Sequence, residues 1–446
     1  MSLLRQLRPG DIALLRWLDR RPVFDPALTK TVAEIIAQVG EGGAAAVLQH
    51  TRRFDAPAIE SLYVVYDLYD LSVLSKEHKA TIDEAIERVT DFHELQLETL
   101  TEGMSELPAG WGWRTSAHED DDGEETGMAG QRLLPVQSAG IYVPGGKADY
   151  PSSVVMNVVP AKVAGVDRIV VATPPREDGS VSPAVVYACQ ELGVEKVLMA
   201  GGASAVAAMA LGLEDFPRVD VIAGPGSKYV NEAKRQLWGA VGLDSYAGPS
   251  EICVVADDKA NVKFAAADFL TQIEHAEDNV GLLVVTSGVT ADKIDGEIRK
   301  QLQGAKRAET MKKALADNCA CVIAGNMGEV QEVVNRFAPE HLALLVEDPT
   351  KLAEGIRNAG AIMMGPYTPQ SIGDYAEGPS HTLPTSGAAR FASPVNVMTF
   401  LKFQSVSMLE KKNVELLAPT VAAFGEMEGL PQHAFGTSVR LEQAEE

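Results

Sequence analysis

Apolar residues recur at three- and four-residue spacing through "LTKTVAEIIAQVGEGGAAAVLQHTRRFD" and "KATIDEAIERVTDFHELQLETL", which predicts two long helices in the first third of the chain. Between this region and the next lies the acidic run "HEDDDGEETG", read as a solvated loop because consecutive like charges repel one another. From Asp167 the pattern changes. Short β-branched runs, "DRIVVATPP", "EKVLMAGG" and "VDVIAGPG", alternate with helical segments and Gly-rich turns. After "YAGPSE" a second series follows: "ICVVADD", "GLLVVTSG", "CVIAGN", "LALLVED" and "AIMMGP". Apolar strands alternating with helices predict parallel sheets covered on both faces, here as two α/β domains, possible only if each series closes its own sheet. Duplicated Rossmann-like units are the simplest reading. Past "GAARFASPVN" the texture turns helical, and the tail from about Val397 to Glu446 reads as a small all-helical domain.

Composition narrows the partners. The 446 residues are 46% apolar, enough for roughly two to four domains. A net charge of −23 argues against nucleic acid or an anionic membrane surface as a partner. Four cysteines, Cys189, Cys253, Cys319 and Cys321, are too few and too unevenly placed for a disulfide framework or a four-sulfur zinc site. A reducing cytoplasm is the expected setting. The opening "MSLLRQLRPGDIALLRWLDRR" lacks the uninterrupted apolar core of a signal peptide, and its Asp11 and Asp19 do not suit a transit peptide. No run of apolar residues approaches the ~18 that a membrane span needs.

The loops carry the candidate chemistry. The dinucleotide fingerprint G-x-G-x-x-G at a first strand-to-helix turn is lacking. Three small-residue turns stand in its place, "GIYVPGGKADYPSS", "IAGPGSKYVNEAKRQ" and "YAGPSE". Each is readable as a plain tight turn, and each also lets backbone N–H groups approach a phosphate or substrate. Together they suit an elongated ligand lying across strand ends.

In "DKANVKFAAADFLTQIEHAED", Val262, Ala265, Ala266, Phe269, Leu270 and Ile273 form a core stripe at helical spacing. Asp268, Gln272 and His275 fall at i, i+4 and i+7 on another face. Such a face is ordinarily solvated. Gln272 and His275 could also hold a divalent metal, given a carboxylate and a second imidazole from elsewhere. Asp374, in the elaborate loop "PQSIGDYAEGPSH", is a candidate carboxylate, and His381 and His433 are candidate imidazoles. His50, His78, His93 and His118 lie in the helical and acidic N-terminal third, where a structural role is the simpler reading. In "FAPEHLALLVED", Glu340 and His341 adjoin at a strand entry, where an acid and an imidazole could serve two successive proton transfers or be a solvated pair.

Seven ordered motifs, "GIYVPGGKADYPSSVVMNVVPAKVAGV", "GPGSKYVNEAKRQL", "AGPSE", "QIEHAED", "APEHL", "GDYAEGPSHTLPTSGAARF" and "EGLPQHAFGTSVRL", resemble those of the histidinol dehydrogenase family. The resemblance runs from about Val32 to near the C-terminus. It implies a zinc-dependent, NAD-linked enzyme that oxidises a primary alcohol to a carboxylate in two hydride transfers, converting L-histidinol to L-histidine by way of histidinal. Position by position, it implies that Gln272, His275, Asp374 and His433 are zinc ligands, His433 coming from the partner subunit of an intertwined homodimer with shared active sites. Glu340 and His341 resemble the catalytic acid/base pair. Ser250 and Glu428 match substrate contacts, alongside the ligands and His341, and Tyr142, Ser204 and Ser227 match cofactor-binding positions. His381 sits in the family's Gly-Pro-x-His element. The implied organisation is an N-terminal helical segment over 1–25, a discontinuous α/β domain over 26–141 and 250–395, an NAD-binding α/β domain over 142–249 and a helical C-terminal domain over 396–446.

Departures from the family pattern sharpen the alternatives. Ser204 and Ser227 stand where an amide is usual, Ala276 replaces glycine, and Ser380 replaces asparagine. A serine hydroxyl cannot offer the paired donor and acceptor of an amide. A paralogue acting on another primary alcohol, such as a sulfonated or phosphonated diol, fits this drift, while Glu428 suits the ammonium of an amino alcohol. A zinc-binding scaffold without catalysis is a reading of another class, opposed by the intact Glu340-His341 pair. A thiohemiacetal route through Cys253 is the mechanistic rival, although a cysteine in an apolar strand is usually a small hydrophobe.

Overall fold

The computed structural model describes residues 3–18, 25–102, 111–119, 125–145, 149–245 and 248–442. Strand β1 (Arg5–Leu7) and helix α1 (Ile12–Leu18) come first. The two predicted long helices follow as α2 (Pro26–Phe54) and α3 (Lys76–Thr101). Asp25 caps α2 by accepting from the Ala27 N–H, with Pro26 in the first turn, where a missing N–H costs nothing. Among the described residues α2 is the one helix long and apolar enough to cross a membrane by length and composition. Its Val32, Val39 and Val47 are instead buried in a core shared with Val206, Met209 and Val230.

The acidic run departs from the loop expectation. Strands β2 (Trp111–Glu119) and β3 (Glu125–Pro135) flank it, and its centre, 120–124, lies outside the described residues.

Next comes a strand-helix series: β4 (Ser138–Tyr142), α4 (Pro151–Val163), β5 (Arg168–Thr173), α5 (Pro183–Glu191), β6 (Lys196–Met199), α6 (Gly202–Leu211), β7 (Val221–Ala223), α7 (Lys228–Leu237) and β8 (Gly242–Leu243). Its five strands pair in parallel in the order β6-β5-β4-β7-β8. A second series repeats the theme: β9 (Glu251–Ala256), α8 (Val262–Ile273), β10 (Val280–Val285), α9 (Gly288–Leu302), α10 (Ala308–Asn318), β11 (Cys319–Ile323), α11 (Met327–Phe337), β12 (His341–Leu345), α12 (Pro349–Ala353), β13 (Ala361–Met364) and α13 (Gln370–Tyr375). Here the parallel order is β1-β11-β10-β9-β12-β13. Leaving aside the edge strand β1, both sheets read 3-2-1-4-5 in their own strand order, so the duplicated Rossmann-like architecture is real at the level of topology.

Continuous apolar runs become strands buried on both faces. Every residue of β9 and β12 is buried, as helices on both sides require. The tail differs from the all-helical expectation at its start: β14 (Leu401–Met408) precedes α14 (Lys411–Met427) and α15 (Pro431–Ser438). Strand β14 pairs antiparallel with β3, which pairs with β2 in a three-stranded sheet. Contacts divide the chain into two units, Met1–Leu95 with Val136–Phe400 and Gln96–Pro135 with Leu401–Glu446. The first holds both parallel sheets; the second holds the antiparallel sheet, α14 and α15.

Candidate active site

Strands β9 and β12 are neighbours in register, His341 lying opposite Ile252, so Glu251 and His341 meet at the amino ends of the two strands. Helix α8 runs back along the sheet after β9, which brings its last turn, and Gln272, to the same edge. Asp374 arrives from α13, in the Gly- and Pro-rich segment after β13. The chain's connectivity thus delivers an amide, an imidazole and carboxylates to one place.

The geometry is tight. Gln272 Nε2 lies 3.5 Å from His341 Nε2 and 3.4 Å from Asp374 Oδ2. His341 Nε2 is 3.6 Å from Asp374 Oδ1, and its Nδ1 is 3.5 Å from Glu340 Oε2. The same Nδ1 is 3.1 Å from the Glu251 carbonyl, which orients the ring with Nε2 toward Gln272 and Asp374. Glu340 Oε2 accepts the Glu251 N–H at 2.8 Å. Glu251 is itself buried, and its Oε1 accepts the N–H of Ser386, a residue in the left-handed region at φ 54°. Asn279 donates to the Gln272 carbonyl at 2.6 Å, anchoring the end of α8. A cavity of about 220 Å³ opens beside this group, lined in part by His341, Met363, Asp374, Ser380 and His381.

Charge follows from the packing. Burial would lower the His341 pKa, but the adjoining carboxylates of Glu340 and Asp374 outweigh it and push it up to about 10. Burial would raise Asp374, yet the His341 imidazole beside it, with His381 and His275, holds its carboxyl below the usual range. Burial lowers His381 against the pull of Asp374, whose carbonyl lies 2.8 Å from its Nδ1. On the other side His381 Nε2 is 3.4 Å from the Ser153 hydroxyl.

The predicted residues therefore divide into groups. Gln272, Asp374, Glu340 and His341 converge, and the solvated-face expectation fails for Asp268 and Gln272, both buried. Helix α8 ends at Ile273, so His275 lies past its end and is exposed. Ser250 immediately precedes β9, and its carbonyl accepts the Val280 N–H. His433, on α15, and Glu428, at the C-terminal cap of α14, belong to the second unit and are exposed. Cys253 is fully buried in β9 within an apolar cluster, and the other three cysteines are buried too, so none serves as an accessible nucleophile.

The three residues that match the family's cofactor-binding positions belong to the other sheet and its helices. Tyr142 ends β4, is buried, and accepts the Gly202 N–H at 3.2 Å at the start of α6. Ser204 turns its hydroxyl inward to the Gly201 carbonyl. Ser227 stands exposed at the N-cap of α7. Strands β4 and β7 are where the strand order reverses, and the crevice beyond the carboxyl ends at such a point is where open α/β sheets bind ligands.

Two residues escaped the sequence reading. Glu251 stood in the quoted "AGPSE" motif, but nothing in its spacing pairs it with His341. Gln370 lies one turn before Asp374 on α13, fully buried, with neither amide atom hydrogen-bonded among the described residues. An amide, a carboxylate and imidazole nitrogens are suitable donors for zinc. Among the described residues no group of three or more His, Cys, Asp or Glu is arranged to hold a metal ion, so Gln272 and Asp374 fit as part of a ligand set that needs further donors.

Comparison with known proteins identifies the family. A family model described as histidinol dehydrogenase matches residues 18–441. The histidinol dehydrogenase of Heliobacterium mobile is 41% identical over 431 residues, covering 96% of this chain and 97% of that protein. That of Bacillus subtilis is 41% identical over 413 residues, 92% of each. The crystal structure of the Elizabethkingia anophelis histidinol dehydrogenase is similar at a TM-score of 0.88 and 30% identity, over 99% of this chain and 98% of that one.

Proposed function

The chain belongs to the histidinol dehydrogenase family, and on that premise we propose that it oxidises L-histidinol to L-histidine through histidinal, with zinc and NAD, as a cytoplasmic biosynthetic homodimer. The observation that carries this reading is the convergence of Gln272, His341 and Asp374 within 3.4 to 3.6 Å at the amino ends of β9 and β12. Gln272, His275 and Asp374 would hold zinc together with His433 of the partner subunit. Zinc held there would supply Lewis acidity and would draw on the Asp374 charge, which with the larger pull of Glu340 favours the protonated His341.

The chain's own residues perform the proton work. His341, oriented by the Glu251 carbonyl, takes the alcohol proton at Nε2 as hydride passes to NAD. Glu340 then takes a proton from water, whose oxygen adds to the aldehyde carbon. The resulting hydrate loses a second hydride to a second NAD, so one alcohol and one water yield one carboxylate, two NADH and three protons. Ser250 and the partner's Glu428 would bind the substrate, Glu428 pairing with its ammonium group. Tyr142, Ser204 and Ser227 would lie along the dinucleotide at the β4/β7 crevice.

The test is a substrate panel with zinc-loaded protein and either NAD or NADP. The expected result is two NADH for each L-histidinol consumed. Turnover of a sulfonated or phosphonated diol in its place would move the assignment to a paralogue, and zinc binding without any turnover would leave only a scaffold.

A further inference from the structure

Lys234 and Asp244, on the sheet that does not carry His341, form an ion pair at 2.8 Å whose side chains are only 2% and 3% exposed. Both groups also hydrogen-bond to a single residue. Lys234 Nζ donates to the Gly224 carbonyl at 2.5 Å, and Asp244 Oδ2 accepts the Gly224 N–H at 2.8 Å. Gly224 follows β7 and has φ +114°, a conformation open to glycine; a Cβ there would stand 2.1 Å from the Tyr142 carbonyl oxygen. Asn231, also on α7, donates to the Gly226 carbonyl at 3.1 Å. The turn Gly224 to Ser227 is therefore held by side chains behind it and pressed against the end of β4.

A buried ion pair is a poor source of stability, since desolvating both charges consumes most of their attraction, and apolar replacements of similar volume are often as stable. What this pair does provide is orientation: it fixes both peptide groups flanking Gly224 at the point where the strand order reverses. We propose that Lys234 and Asp244 are positioning residues for the dinucleotide crevice, holding the Gly224–Ser227 turn in the conformation that receives the cofactor. The proposal rests on the reading that NAD occupies the β4/β7 crevice.

The test replaces both charges at once, Lys234→Met with Asp244→Leu, in the full-length, zinc-loaded protein. The measurements are NADH affinity by fluorescence, KM for NAD and for histidinol, zinc content and thermal unfolding. The expected result is a rise of about tenfold or more in KM for NAD and Kd for NADH, with zinc content intact and KM for histidinol changed less than twofold. A lowered Tm with NAD affinity within twofold of wild type would make the pair structural and overturn the proposal. Should the double variant not fold, Lys234→Gln retains an N–H donor and most of the volume; it is expected to weaken NAD at least threefold, and an effect within twofold overturns the proposal. Wild-type protein that binds no NAD would sink the underlying reading, whereas wild-type binding with unaffected variants sinks only the positioning role.

Discussion

At the scale of single residues, helical spacing correctly put Asp268 and Gln272 on one face of α8, and could not say what covers that face. Burial decided it: α13 packs over the last turn, and the helix stops short of His275. Asp268 carries the consequence, its carboxyl raised by burial from 3.8 to about 6. The folded state favours the neutral form, so this contribution to stability is full below pH ~4 and lost as pH rises through about 6. Asp268→Asn should therefore raise Tm by about 2–4 °C at pH 8 and leave it unchanged at pH 4, read by thermal unfolding across the pH range. Glu340→Gln tests the other end of the site. Its amide oxygen can still accept the Glu251 N–H but cannot take a proton from water, so the fold should persist while overall oxidation falls roughly 10²–10⁴-fold. Stopped-flow kinetics that show both hydride transfers at wild-type rates would remove Glu340 from the chemistry.

At the scale of elements, the strands legible in the sequence were those buried on both faces, because a continuous apolar run has few other fates. The eight runs read as strands from Asp167 onward all form, as β5, β6, β7 and β9 to β13. Six were missed: β4, whose buried run SAGIY is interrupted by small residues and merges into a Gly- and Pro-rich turn, and five of two other kinds. Strands β2, β3 and β14 carry Ser, Thr, Gly, Gln and His among their apolar residues, and their pairing is settled by partners far apart in sequence, Leu401 opposite Pro135 for example. Strands β1 and β8, with three and two residues, exist only by virtue of a neighbour. Packing of α8 on its sheet also depends on a residue without a side chain. The Phe269 ring lies over Gly281 of β10, where an added Cβ would come within 2.4 Å of Cζ. Gly281→Ala should cost about 1–3 kcal/mol in denaturant unfolding by overpacking this contact. Because Gln272 is one turn from Phe269, the same variant should also lose zinc affinity, and unchanged affinity would show that the site is insulated from the core.

At the scale of the whole molecule, ordered motifs spread along nearly the entire chain made the family legible, whereas neither spacing nor apolar pattern could say whether the site is completed within one chain. His433 and Glu428 stand exposed in the second unit, as residues offered to another subunit would. Mixing His433→Ala protein with Gln272→Ala protein should restore about a quarter to a half of the activity once heterodimers form, because one of their two sites is intact. Confirmed heterodimers without activity would refute a shared site. The matched strand orders raise a further point. The six-stranded sheet reverses its order between β9 and β12, so it too has a crevice beyond their carboxyl ends, yet there the Asp257 carboxylate accepts the Glu347 N–H at 2.7 Å and Glu347 pairs with Lys259. The chain's own carboxylate thus takes a backbone N–H at that end of the sheet that an anionic ligand could otherwise use. With that backbone N–H already taken by a carboxylate, a dinucleotide titration should saturate at one per chain, not two.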